Sequence, residues 1–121
     1  MSRCRVMVVD REESIREFLG LALSDDGYTV EPCERVESAL CCAQTFQPQI
    51  ILLDILSPNG NESIFLREYH RLPGPHAPII GMTTAFPVDS LPRIAGIAHV
   101  VQKPFDLEHL LSVVQTFTPA Q

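Results

Sequence analysis

Three short stretches of the chain are almost free of polar residues: Val6–Val9, Ile50–Leu53 and Ile79–Met82. A strand with one face in water alternates apolar and polar side chains. A strand covered on both faces has no reason to alternate, and strands covered on both faces belong to parallel sheets layered between helices. Two weaker runs, Thr29–Val30 and Val100–Val101, supply the remaining strand candidates.

Helical spacing fills the intervals. Ile15, Phe18, Leu19, Ala22 and Leu23 follow the helical pattern i, i+3, i+4, i+7, i+8, with Ser14 near the start and Gly27 beyond the end. Val36, Ala39, Leu40 and Ala43 repeat it, and Phe65, Leu66, Tyr69 and Leu72 form a looser stripe. Leu107, Leu110, Leu111 and Val114 make the last one, with Asp106 placed as its cap. Between Thr84 and His99, Pro87 and Pro92 leave room for only a short or irregular fourth helix near Leu91–Gly96. The order β-α-β-α-β-α-β-(α)-β-α predicts an α/β fold: a doubly wound, five-stranded parallel sheet with helices on both faces. Residues 1–121 are expected to form one domain with its core over about 4–117.

Composition narrows the function. The nine basic residues are scattered among fifteen acids, for a net charge of −6, which argues against direct nucleic-acid binding. The apolar run after the basic N-terminus is far too short for a signal core or a membrane insertion. Cys4, Cys33, Cys41 and Cys42 lack zinc-site spacing and read as small buried apolar residues, kept reduced in a cytoplasmic protein.

In open α/β sheets, chemistry gathers where the strands end. Asp10 ends the first strand, Asp54 the third, Thr83 and Thr84 the fourth, and Lys103 the fifth, followed by Pro104-Phe105. Lys103 is the only lysine, against eight arginines. A compact ammonium suits a small oxygen cluster better than a planar guanidinium does.

Taken together, Val8-Val9-Asp10, Leu52-Leu53-Asp54-Ile55 with Pro58, Met82-Thr83 and Lys103-Pro104-Phe105 resemble the receiver domain of response regulators in two-component signalling. The resemblance covers essentially the whole chain. It implies the flavodoxin-like strand order 2-1-3-4-5. It implies that Asp54 accepts a phosphoryl group from a sensor histidine kinase or phosphotransfer protein. Lys103 and Thr83 would contact that group, and Asp10, Asp54 and the backbone carbonyl of Leu56 would hold Mg2+. It further implies a cis Lys103-Pro104 bond, a conformational signal to a downstream output protein or domain, and no catalysis beyond self-phosphorylation and autodephosphorylation.

Departures from the family pattern matter as much. Arg11 stands where a second metal-binding acid is usual, and Val100 stands at the position of the switch aromatic. Glu62 lies where a glycine is usual. Asp10 and Asp54 balance Lys103 and Arg11 without a metal, so Arg11 stands in for part of the cation's charge. Alternatively Arg11 faces solvent and Glu12 supplies the third carboxylate. Mg2+ binding is expected to be weak, and the chain a monomer or weak dimer. Two other readings stay open: a degenerate pseudo-receiver acting as a phosphorylation-independent interaction module, and a small α/β enzyme or flavin carrier. Against the last, no second acid follows Asp54 at two residues and no Ser/Thr/Gly-rich loop follows the first strand.

Overall fold

The computed structural model describes residues 4–55, 61–83 and 96–119. The elements are β1 (Arg5–Val9), α1 (Glu13–Asp25), β2 (Thr29–Cys33), α2 (Val36–Phe46), β3 (Ile50–Asp54), α3 (Asn61–Arg71), β4 (Ile79–Thr83), β5 (His99–Gln102) and α4 (Leu107–Phe117). All strand pairs are parallel, in the order β2-β1-β3-β4-β5. The expected short helix before β5 lies almost wholly outside the described residues.

The unbroken apolar strands are explained by two cores. Val6, Val8, Leu52, Ile80 and Met82 point to one face, where they meet Leu19 and Leu23 of α1 and Leu110, Val113 and Val114 of α4. Met7, Val9, Ile51, Leu53 and Ile79 point to the other, against Ala39 and Ala43 of α2 and Phe65, Leu66 and Tyr69 of α3. Period-two side-chain alternation thus divides each run between two covered faces.

Helix ends follow local chemistry. The Asp106 carboxylate accepts from the Glu108 N–H at 3.2 Å and starts α4 as expected. Gly27 ends α1 with φ +96, a conformation that glycine adopts without a Cβ clash.

Three expectations need correction. Phe18 is 46% exposed, because the buried stripe of α1 is narrower than its apolar pattern and centres on Leu19 and Leu23. The second strand extends through Pro32 to Cys33, and proline is tolerated there because β2 is a sheet edge. Among the cysteines, Cys41 is exposed and Cys42 half-buried, so only Cys4 and Cys33 are core residues.

Gly81 is the tightest point of β4. A Cβ there would meet Ile55 Cδ1 at 2.5 Å. Overpacking of a buried site costs about 1–3 kcal/mol, while alanine's lower chain entropy returns about 0.4–1 kcal/mol. Gly81→Ala is therefore expected to destabilise the protein in urea melts. Ile55→Val, which removes Cδ1, should recover most of the loss in the double variant.

Candidate functional site

Parallel pairing puts the carboxyl ends of β1, β3, β4 and β5 at one edge. Asp10 directly follows β1, Asp54 ends β3, Thr83 ends β4, and Lys103 directly follows β5. The Lys103 ammonium donates to Asp10 Oδ2 at 2.8 Å and to Asp54 Oδ1 at 3.2 Å. Thr83 is fully buried, and its carbonyl accepts from the Lys103 N–H at 2.7 Å. The Lys103-Pro104 bond is cis.

Asp10 is held at every polar atom. Its N–H donates to the Cys33 carbonyl at 3.1 Å. Its carbonyl accepts from Arg16 Nη1 at 2.8 Å, and Oδ1 accepts from the Glu12 N–H at 2.9 Å. Strand-end reasoning missed Arg16. Its place six residues after Asp10, one turn into α1, is the signal that could have found it.

Among the described residues, Asp54 receives the longer of the two Lys103 bonds. Burial pushes its carboxyl above the usual aspartate range, and the Asp10 charge adds to the push. Lys103 opposes both, and Arg11 makes the smallest opposing contribution. Lys103 itself is raised despite burial, because it serves two carboxylates. The two shifts fit one picture. A single ammonium sits closer to Asp10 than to Asp54, so the ammonium is over-supplied with partners and Asp54 is under-neutralised.

Arg11 and Glu12 are both exposed. Arg11 still acts weakly on Asp54, while Glu12 contributes its backbone N–H to Asp10. Val100 is half-buried in the edge strand β5, in register with Gly81. Leu56 lies outside the described residues. Glu62, in the first turn of α3, is buried.

Mg2+ asks for a near-octahedral oxygen shell. Among the described residues, no group of three or more His, Cys, Asp or Glu side chains is arranged to hold a metal. Among the described residues, Asp10 and Asp54 bring carboxylates to this edge, and both engage Lys103. They are two of the oxygen donors such a shell would draw on.

An open parallel sheet in this order, with two acids and one ammonium at its carboxyl edge, places the chain in the receiver class of α/β domains. A family model for the response regulator receiver domain matches residues 6–115. Response regulator MprA of Mycolicibacterium vanbaalenii is 32% identical over 112 residues, which cover 89% of this chain and 47% of that protein. The KDP operon transcriptional regulatory protein KdpE of Escherichia coli is 31% identical over 107 residues, covering 87% of this chain and 47% of its own. Chemotaxis response regulator CheY4 of Vibrio cholerae has a TM-score of 0.78 at 27% identity, covering 96% of this chain and 99% of that one. A CheY-like receiver from Methylobacillus flagellatus reaches a TM-score of 0.82 at 17% identity, over 96% of this chain and 99% of that one, and shares the fold.

The chain belongs to the response regulator receiver domain family. It spans about half the length of the curated relatives it matches. Receiver domains are signalling modules rather than enzymes; they work with histidine kinases and typically bind Mg2+. No helix among the described residues is long and apolar enough to cross a membrane.

A carboxyl group raised in the folded state contributes stability that is complete below its unfolded pKa and is lost as pH rises through the folded one. The ionised Asp54 is thus a liability at neutral pH. Asp54→Asn is expected to raise the melting temperature at pH 7 in metal-free buffer. The difference from wild type should vanish as pH falls below the ordinary aspartate value of 3.8.

Proposed function

We propose that this domain accepts a phosphoryl group on Asp54 from a sensor histidine kinase or a phosphotransfer protein. It then passes the signal, in the cytoplasm, to an output protein or domain through a change of conformation. The observation that carries this reading is the ammonium of Lys103 lying against both Asp10 and Asp54 beside buried Thr83. A carboxylate nucleophile needs no general base to attack phosphorus. An Asp54 oxygen forms the O–P bond as the donor's N–P bond breaks. Lys103 moves toward the phosphoryl oxygens, and the Thr83 hydroxyl donates to one of them. Residues 1–121 act as a single receiver unit, as a monomer or weak dimer, with no direct contact to nucleic acid.

The test is intact-mass measurement after exposure to acetyl phosphate and Mg2+. Wild type is expected to gain one adduct of ~80 Da that is lost in alkali, as an acyl phosphate on a carboxylate nucleophile would be. Asp54→Asn should gain none. An unmodified wild type, under donors that label an ordinary receiver, would favour the second reading, a phosphorylation-independent interaction module. That alternative rests on Arg11 in place of an acid and Val100 in place of the switch aromatic.

Arg11 sets how the pocket is charged. A guanidinium there contributes no ligand and repels a divalent cation, so Mg2+ binds weakly and labelling by small donors is slow. Arg11→Asp is expected to raise Mg2+ affinity at least about tenfold, equivalent to about 1.4 kcal/mol, read by calorimetric titration. Equal affinity in the two proteins would mean that Glu12 or solvent already completes the shell.

A further inference from the structure

The amino ends of the strands, at the opposite edge of the sheet from Asp54, border a cavity of ≈ 700 Å³. Arg5 begins β1, Gln49 precedes β3 and Pro78 precedes β4, and all three line it. Along β1, Arg5 lies roughly 16 Å from Asp10, at about 3.3 Å per residue. The volume falls within the roughly 300–1,000 Å³ of small-molecule sites.

The polar lining of this cavity is one-sided. The chain carries fifteen acids and a net charge of −6, yet among the described residues no Asp or Glu lines the cavity. Arg5, Gln44, Gln49 and His76 do. Arg5 is half-buried and forms no ion pair with a described residue. Its Nε donates to the carbonyl of Gln47 at 2.8 Å, and Gln47 presents that carbonyl from the left-handed region, with φ 53. This bond orients the guanidinium plane and leaves both Nη groups without a hydrogen-bond partner among the described residues. That Nη edge is one that grips a carboxylate with two parallel bonds. The Gln49 side-chain oxygen accepts from the Arg5 N–H at 3.0 Å, so the Gln49 NH2 group is left to donate as well.

The rest of the wall is apolar and stiff. Pro48, Pro73 and Pro78 stand with Tyr69 and Leu72. The Tyr69 hydroxyl accepts from the Ala77 N–H at 2.7 Å, and His76 Nε2 donates to the Leu72 carbonyl at 2.7 Å. The segment between α3 and β4 is thus fastened to α3 and its end before any ligand arrives. Prolines fix φ as well, so little ordering remains to oppose binding.

We propose that this cavity binds a small organic carboxylate with a flat apolar body. The carboxylate takes the Nη edge of Arg5, the Gln49 amide adds a donor, and the apolar body rests on the prolines and Tyr69. Binding requires neither a metal nor a phosphoryl group on Asp54.

The probe is benzoate, titrated at constant ionic strength into the full, untagged, 15N-labelled chain, with amide shifts read by NMR. Saturable shifts are expected at Arg5, Gln49, His76 and Ala77. Benzamide, which keeps the ring and lacks the charge, should bind at least about tenfold more weakly. Arg5→Gln should weaken benzoate by a similar factor. Gln44→Glu sets a carboxylate into the wall from an exposed position on α2. It should weaken benzoate with the fold intact, so the charge argument is tested even if Arg5→Gln disturbs the start of β1. Shifts that stay linear to the solubility limit would overturn the proposal. So would equal affinity for benzamide, unchanged affinity in both variants, or saturable shifts confined to the Asp54 and Lys103 edge.

Discussion

One ammonium shared by two carboxylates organises the carboxyl edge of this sheet. Lys103 lies 93 positions from Asp10 and 49 from Asp54, and only the order β2-β1-β3-β4-β5 brings all three together. That order rests in turn on strands apolar on both faces and on helices covering both. Burying charges is expensive unless they are paired and hydrogen-bonded. Asp10 meets that condition through Lys103, Glu12 and its two backbone contacts. Asp54 meets it only in part, because burial and the Asp10 charge outweigh the shared ammonium.

The inequality also explains why Arg11 matters although it is exposed. A charge near the surface is screened, so it relieves Asp54 less than Lys103 does. Among the described residues the pocket therefore holds two carboxylates that share one ammonium, with a second cation exposed at the surface.

Much of this was legible in the residues. The unbroken runs at Val6–Val9, Ile50–Leu53 and Ile79–Met82 announce a doubly covered parallel sheet, and strand-end polarity picks out Asp10, Asp54, Thr83 and Lys103. Other features depend on three-dimensional packing that periodicity does not carry. Phe18 fits the helical stripe but faces outward, because the stripe is wider than the surface it covers. Pro32 hides the length of β2, since whether proline is tolerated depends on the strand being an edge. Arg16 reaches back to a backbone carbonyl, a partner that no side-chain pattern encodes.

The most direct measurement is the side-chain carboxyl 13C titration of Asp54 by NMR in the metal-free protein, with Asp54→Asn to assign the signal. A midpoint above the ordinary 3.8 is predicted, because burial and Asp10 outweigh the shared ammonium. A midpoint at or below 3.8 would mean that Asp54 is fully neutralised by its neighbours, and would contradict an under-neutralised acceptor at this edge.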